Sequence, residues 1–420
     1  MKWSPEQDNA LLSVKKWLQD KDSQVFRLFG YAGTGKTTLA KELAEGVGGE
    51  VLFGAFTGKA AYVLQQKGCD GARTIHSLIY NSRDKSKKQL RDLEEQLDAL
   101  TQELSASGMP ETEIKKHARV IDISNMLRIE QDNIGRPFFA LNPDSDVKHA
   151  ALVIIDECSM VDKQMGEDLL SFGVKVLVLG DPAQLPPIGG AGFFTEDVTP
   201  DIMLSEIHRQ AAESPIIELA TMIRKHKLPS LGQYGKCKWI SAQEVEQSEV
   251  LAADQIRVGK NKTRFAMNHR VRKLLDRIGE ENLESLGQGN KLPTVEDKLV
   301  CLRNNHDEGL LNGALFRVHQ IVSAMDDKIL MQILNEDGDL KEVLSHAQYF
   351  LGTQESLKWF EKKDAQEFDY GYALTVHKSQ GSQWDNVYLF DESNSFRKDK
   401  WRWLYTGITR AAEQITIVRM

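Results

Sequence analysis

Cysteine is scarce: Cys69, Cys158, Cys237 and Cys301 stand far apart in a chain of 420 residues. No two have the spacing of a metal-binding pair, and they build no disulfide framework. They are expected to be buried thiols of a reducing compartment, which points to the cytoplasm. Long apolar runs are missing as well, and none approaches the ~18 residues that a membrane-spanning helix needs. The start, Met1-Lys2-Trp3-Ser4-Pro5-Glu6-Gln7, lacks an apolar core of the signal-peptide kind. Positive charge is not in excess either: 53 Lys and Arg face 61 Asp and Glu, for a net charge of −8. The body is therefore not a general nucleic-acid sponge, although a basic groove within an acidic body stays open. What is present is an ordinary globular composition, 41% hydrophobic and 27% charged, long enough for several domains.

The stretch around which the chain is organised is Gly30-Tyr31-Ala32-Gly33-Thr34-Gly35-Lys36-Thr37-Thr38. A short apolar run, Val25 to Phe29, precedes it and a helix-like run, Leu39 to Ala44, follows. This is G-x-x-x-x-G-K-[ST] in the strand–loop–helix setting of a P-loop. Gly30, Gly33 and Gly35 let successive N–H groups turn inward onto a phosphate chain, and the helix start adds its positive dipole end. Lys36 is placed for the β- and γ-phosphates, and the Thr37 hydroxyl for Mg²⁺.

Upstream, Ser4-Pro5-Glu6-Gln7 opens a helix with Ser4 as N-cap, Pro5 at its first position and Gln7 in the capping-box position. The Gln7 amide has a donor and an acceptor and could instead read an adenine edge, but the local residues favour capping. Strand-like Val51 to Phe56 leads into Thr57-Gly58-Lys59, which suits either a nucleic-acid phosphate or a helix N-terminus. Arg73-Thr74-Ile75-His76 carries the same ambiguity. From residue 84 to 118 the chain becomes charged, with Leu90, Leu93, Leu97, Leu100 and Leu104 stepping by three and four on one helical face. Gly108-Met109-Pro110 breaks it, and Ile114 to Leu127 is expected to return antiparallel, so an inserted helical hairpin is predicted. A turn-rich stretch, Gly135-Arg136-Pro137-Phe138-Phe139, follows.

Ala151-Leu152-Val153-Ile154-Ile155-Asp156-Glu157 reads as a strand buried on both faces that ends in two carboxylates. Ligands collect at such strand ends. Asp156 is placed to hold Mg²⁺ and Glu157 to polarise an attacking water. Val174 to Gly180 is the next strand, and it runs into Asp181-Pro182-Ala183-Gln184-Leu185-Pro186-Pro187-Ile188, where the Gln184 amide can sense a γ-phosphate. Farther on, Lys298–Leu302, Phe316–Val322, Ile329–Leu334 and Leu340–Leu344 read as short strands with turn signals at Asp326-Asp327 and Asp337-Gly338-Asp339, which predicts a small all-β barrel. Tyr349, Phe350, Trp359 and Phe360 read as core in preference to base-stacking residues. Tyr372 to Thr375 is a strand that ends in a polar turn, His377-Lys378-Ser379-Gln380-Gly381, with a helix expected just past it. Trp401, Trp403, Leu404 and Tyr405 pack a last helix that ends in Thr409-Arg410, and Ile415 to Val418 is a final strand.

Taken together, GYAGTGKTT, AFTGKAA, RTIHSL, VIIDECSMV, LGDPAQLPPI, LSEIHRQ, TVHKSQGSQWDNV and YTGITRA resemble the motifs of superfamily 1B helicases of the RecD/Dda type, in family order from Gln7 to Ala411. One departure is Phe56, which stands where the family usually has proline before the Thr of its first DNA block. The resemblance implies an α/β fold of two RecA-like P-loop domains in tandem, with an inserted helical hairpin and an inserted SH3-like β-barrel. The implied domains are 1A (1–80 and 150–197), 1B (81–149), 2A (198–295 and 366–420) and 2B (296–365). The family assigns Gln7 to adenine, Lys36, Asp156, Glu157 and Gln184 to the catalytic site, and Arg209 and Arg410 to two arginine fingers. It adds Gly33, Thr34, Gly35, Thr37, Thr38, Gln380 and Gly381 as nucleotide contacts, with Thr37 and Asp156 on Mg²⁺. Thr57, Lys59, His76, Pro187, His377 and Ser379 become single-strand contacts, and Phe138 and Phe139 are the candidate edge for strand separation. The implied activity is ATP-dependent 5′→3′ translocation on single-stranded DNA and duplex unwinding, by a monomer acting at single-strand/duplex junctions and alongside replication or recombination proteins. An RNA helicase of the same branch and a nucleotide-clamped single-strand binder are the alternatives, the second opposed by the presence of Glu157, for which a binder has no use.

Overall fold

Runs of apolar residues that are continuous because both faces are covered become neighbouring parallel strands. In this computed structural model, which describes residues 3–82, individual positions from 93 to 124, and 139–420 apart from 188–189, 197, 207–212, 278–290, 306–307, 326 and 358–360, Leu152–Asp156 (β6) and Val176–Gly180 (β7) are buried at every residue. With Val25–Gly30 (β1), Val51–Ala55 (β2), Arg73–Thr74 (β3) and Ile202–Leu204 (β8) they form a six-stranded sheet in the order β3-β2-β6-β7-β1-β8, parallel throughout. β1 lies between β7 and β8, so the chain leaving β1 crosses to a distant strand, which opens a ligand crevice at its carboxyl end. The helices Pro5–Gln19, Lys36–Glu45 and Gly58–Gln66 bury Ala10, Val14, Trp17, Leu39, Leu43, Ala60 and Leu64 against Leu28, Ile154, Leu177 and Leu179. Each large side chain so covered stabilises the fold by about 1.5–3 kcal/mol.

A second sheet follows in the order β17-β11-β18-β19-β10-β9. Its strands are Ala373–Thr375 (β17), Gln255–Val258 (β11), Trp384–Asp391 (β18), Ala411–Arg419 (β19), Cys237–Ser241 (β10) and Gly232–Tyr234 (β9). Only the β9–β10 pair is antiparallel. Trp239, Leu389, Trp403, Leu404, Ile408 and Ile417 form its core with the helices Pro215–Arg224 and Lys400–Ile408. The helix expected just past Gly381 is instead the central strand β18, whose Val387, Tyr388, Leu389 and Phe390 are all buried. Aromatic and branched residues in an unbroken run suit a strand covered on both faces.

The third sheet is antiparallel, β15-β14-β13-β12-β16. Lys298–Cys301 (β12), Leu315–Met325 (β13), Lys328–Asn335 (β14) and Leu340–His346 (β15) fall where the alternation placed them. Its fifth strand, Phe368–Tyr370 (β16), lies past the expected end of this insert at 365, because Phe368 and Tyr370 are needed in its core. Tyr349 and Phe350 are core as expected, whereas Trp359 and Phe360 lie outside the described residues. Two buried ion pairs, Arg264–Asp369 at 2.5 Å and Arg272–Asp297 at 2.9 Å, tie the helix Asn261–Leu274 of the second sheet to this one. Removing one partner of such a pair costs about 3–5 kcal/mol, since the other charge stays buried.

Residues His76–Lys148 form a separate compact unit. Within it Tyr80–Ser82 (β4) pairs antiparallel with Phe139–Leu141 (β5). Leu100, Ile114 and Val120 cluster with Leu97, Leu104 and Ile123, so the leucine stripe meets a returning segment as expected. Leu90 lies outside the described residues. All four cysteines are buried and free. Among the described residues no helix is long and apolar enough to cross a membrane.

Candidate active site

The loop after β1 folds over the start of the Lys36–Glu45 helix through Gly33 (φ 80°) and Gly35 (φ 78°), both in the left-handed region where a side chain is strained. A Cβ on Gly30 would stand 2.5 Å from Thr34 Oγ1 and 2.9 Å from Leu204 Cβ, so no larger residue fits there. Lys36 Nζ donates to the carbonyls of Gly30 (2.7 Å) and Tyr31 (3.1 Å), and Thr34 Oγ1 also donates to Tyr31 O (2.8 Å). The Thr37 hydroxyl donates to Asp156 Oδ2 at 2.9 Å across the end of β6. Thr38 lines the same cavity, which is about 700 Å³.

Asp156 Oδ1 accepts from the Glu157 N–H at 2.8 Å. Burial first, then the neighbouring Glu157 charge, pushes the Asp156 carboxyl above the usual carboxylate range. Glu157 has φ 53°, a left-handed conformation that costs a non-glycine residue energy and recurs at functional sites. Its side chain faces Arg410, with Arg410 Nη1 at 3.5 Å from Oε1. With the amide turned so that nitrogen meets carboxylate, Gln184 Nε2 donates to Glu157 Oε2 (3.0 Å) and Oε1 accepts from Arg410 Nη2 (3.1 Å). Arg410, 6% exposed, thus comes from the second sheet, with Gly381, Ser382, Gln383 and Thr409, into a cavity whose other side is built by the first.

The donor set fits a hydrated divalent cation: a threonine hydroxyl and a carboxylate in contact, with a second carboxylate beside them. Among the described residues no group of three or more His, Cys, Asp or Glu could cage a metal. Such an ion would therefore take most of its ligands from water and phosphate, the habit of Mg²⁺.

Gln7 forms the capping box, with Ser4 N–H on its Oε1 (3.0 Å) and Ser4 Oγ accepting from its N–H (3.3 Å). Its Nε2 donates to Thr34 O at 3.1 Å, so the same amide reaches the P-loop. Gln380 Nε2 donates to Leu185 O (3.0 Å), and Gly381 (φ 82°) passes so close to the first sheet that a Cβ would meet Ala60 Cβ at 2.8 Å. Arg209 lies outside the described residues.

Of the expected strand contacts, Thr57 is the N-cap of the Gly58–Gln66 helix and accepts from Ala60 N–H at 3.2 Å. Lys59 is ion-paired with Glu336 in the turn between β14 and β15, and neighbouring Tyr62 donates to Asp337 at 3.0 Å. Pro187 is half-buried in the loop beyond Gln184. His377 leans on Phe396 with ring centres 5.4 Å apart, and burial holds its imidazole below the usual range. Ser379 is fully buried, with its hydroxyl donated to Val376 O at 2.6 Å. His76 belongs to the 76–148 unit, against Tyr80. Phe138 lies outside the described residues, and Phe139 pairs through its backbone with Ser82.

Sequence reasoning missed Asp181 and Tyr405, which are hydrogen-bonded to each other at 2.6 Å beside the P-loop. The available signal was a tyrosine in the same short block as Arg410 and an aspartate in the same block as Gln184. Trp3, also unassigned, lines the cavity as well.

A family model described as an AAA domain matches residues 3–245, more than half of the chain, and one described as a UvrD-like helicase C-terminal domain matches residues 370–418. The ATP-dependent RecD2 DNA helicase of Deinococcus radiodurans is 25% identical over 411 residues, covering 92% of this chain and 46% of that protein. A solved structure concerned with DNA unwinding at forked duplexes by two coordinating Pif1 helicases superposes with a TM-score of 0.54 at 18% identity, covering 99% of this chain and 92% of that one. The chain belongs to the AAA-domain family, and its fold is that of the Pif1 structures. The Bacteroides Pif1 bound to single-stranded DNA also shares the fold, with a TM-score of 0.51, 18% identity, and coverage of 99% of this chain and 92% of that one. The chain spans about half the length of the RecD2 relative.

Proposed function

We propose that this chain is an ATP-dependent DNA helicase that moves 5′→3′ along single-stranded DNA and unwinds duplex at junctions. The observation that carries the reading is the meeting, in one cavity, of Lys36, Thr37, Asp156 and Glu157 from the first sheet with Arg410 from the second. A site divided between two sheets is complete only when they close, which lets hydrolysis be gated by what lies across both. Glu157 orients the attacking water, Gln184 reports the γ-phosphate to Arg410, and Arg410 with Arg209 neutralises the charge that develops on transfer. Lys36 leaves the carbonyls it now caps to meet the phosphates. Thr37 and Asp156 would hold Mg²⁺, which when bound would supply charge neutralisation for phosphate.

The layout we infer is domain 1A at 1–80 and 150–197, 1B at 81–149, 2A at 198–295 and 371–420, and an SH3-like 2B that runs past the expected end at 365 to take in β16, at 296–370. We infer that Thr57, Lys59, Pro187 and His377 take part in strand binding, with the buried Ser379 shaping the turn that bears His377; within the 76–148 unit, His76 is the inferred strand contact and Phe138-Phe139 the inferred separating edge. Single-stranded DNA as the partner is supported by the Bacteroides Pif1 complex, which shares the fold.

Hydrolysis measured with poly-dT, poly-U and duplex DNA tests the reading. Stimulation by poly-dT, lost in Lys36→Ala with strand binding retained, is the expected result. A chain that hydrolyses ATP equally fast without nucleic acid refutes it, and stimulation by poly-U alone makes the substrate RNA.

A further inference from the structure

The crest of the P-loop is held by the second sheet at two points that the chemistry above does not use. Ala32 N–H donates to the Tyr405 hydroxyl at 3.0 Å, and the Arg224 guanidinium carbon lies 3.4 Å from the centre of the Tyr31 ring. The Tyr405 hydroxyl donates its own proton to Asp181 Oδ2 at 2.6 Å, a short bond of the charge-assisted kind. Tyr405 is 2% exposed and Asp181 0%, so water does not replace either partner. Asp181 Oδ1 accepts from Ala183 N–H at 3.0 Å, and Asp181 O accepts from Gln184 N–H at 3.1 Å. Just beyond Gln184, Leu185 N–H donates to Thr406 Oγ1 at 2.9 Å. Gln184 is thus bracketed by two adjacent side chains of the helix that leads into Arg410.

We propose that Tyr405 is a positioning residue for nucleotide hydrolysis, its hydroxyl clasping the P-loop crest to the loop that bears Gln184 only when the two sheets are closed. This rests on the helicase reading for the identity of the reaction. A hydroxyl has one proton to give and room to accept, and here both bonds go to the first sheet from a residue of the second. If the sheets part, Ala32 N–H and the Asp181 carboxylate both lose their partner, a costly state for buried groups. Closure is therefore sensed at the loop that cradles phosphates and at the loop that senses them, and Arg410 is delivered by the same helix end.

Tyr405→Phe keeps the buried ring and removes only the hydroxyl. The groups facing Asp181 are Lys36, Glu157 and Tyr405, with Arg224 facing Tyr405 in turn. Burial already holds the Asp181 carboxyl above its ordinary range, and the Tyr405 hydrogen bond opposes that rise. Without the hydroxyl the carboxylate is protonated at higher pH, so the acid limb of kcat is expected to move upward. At neutral pH, kcat with poly-dT is expected to fall on the order of 10-fold, as for a lost hydrogen bond to a charged group, with KM for ATP nearly unchanged. Amide exchange of residues 29–35, measured with a non-hydrolysable ATP analogue and poly-dT bound so that the sheets are closed, is expected to quicken in Tyr405→Phe and in Asp181→Ala, which removes the acceptor of the Tyr405 proton. Unchanged exchange in both variants overturns the clasp, whatever the activity. A lower kcat with an unmoved acid limb makes Tyr405 a packing residue and overturns the positioning role. Absence of DNA-stimulated hydrolysis in the unaltered chain defeats the helicase reading, while the exchange measurement still judges the clasp.

Discussion

Glu157 meets more constraints than any neighbour in the cavity. Its backbone is left-handed at φ 53°, its N–H is turned back onto Asp156, and its two carboxylate oxygens are divided between Arg410 and Gln184. A residue held this way has little freedom to drift when a nucleotide enters, which suits a group that must aim a water. Under the proposed function Arg410, in contact with it, acts on charge that appears only during transfer. Arg410→Ala is therefore expected to lower kcat by at least ~10³-fold with a smaller effect on nucleotide affinity. Steady-state kinetics decide it, and a change confined to KM would reduce Arg410 to a binding residue. At this scale the P-loop and the Asp156-Glu157 pair were legible because each depends on a few consecutive residues and a strand in front of them. Gln7 was legible only as two alternatives, and the geometry gives the reason: one amide caps its helix and touches Thr34 at once. Tyr405 read as packing, since its ring is packed, and the hydroxyl's partners lie at residues 32 and 181, far away in sequence.

Among elements, the turn joining β14 to β15 has the most direct bearing on a strand path. Asn335 Oδ1 accepts from the N–H groups of Asp337 (3.0 Å) and Asp339 (2.7 Å), and Gly338 takes φ 88°, so the turn is rigid at its base. It presents Glu336 to Lys59 and Asp337 to Tyr62 on the Gly58–Gln66 helix. An acidic turn on the lysine expected to meet a phosphate competes with that phosphate. Glu336→Gln combined with Asp337→Asn is expected to tighten single-strand binding about 2- to 5-fold at low salt, the size of a partly exposed ion pair, and less so as salt screens it. Fluorescence anisotropy of a labelled dT oligonucleotide measures this. Weaker binding in the variant would mean that the turn supports the strand path and does not compete for it. The turn itself was legible from Asp337-Gly338-Asp339, but its target was not, because pairing between separate sheets leaves no local pattern. For the same reason β16 fell outside the expected insert: three residues carry too little periodicity to assign, and their place is fixed by pairing with β12.

For the whole molecule, the arrangement to be explained is two mainly parallel sheets that line one cavity, the proposed nucleotide site, while each has strand ends and turns that the proposed function offers to a polymer. Thr57 follows β2 of the first sheet and His377 follows β17 of the second. Backbone N–H and hydroxyl groups fixed in such turns meet phosphates in one orientation, so the polarity of the bound strand is set by the fold. If the proposed site closes on ATP and opens on hydrolysis, the distance between two grips shortens and lengthens, and directed movement results when the grips tighten in alternation. Which grip tightens first is not decided by any single distance in the cavity. The sign comes from the resemblance of GDPAQLPPI, HKSQGS and YTGITRA to the motifs of the 1B branch. Movement is expected to be 5′→3′. The check is displacement of streptavidin from biotin placed at either end of a single-stranded oligonucleotide: ATP should speed release from the 3′ end and leave the 5′ end near its spontaneous rate. Lys36→Ala should abolish the difference, because without phosphate-coupled closure the two grips have no reason to alternate. ATP-driven clearance of the 5′ end alone would reverse the order of the grips and remove the chain from this branch, even with every residue of the hydrolysis site in place.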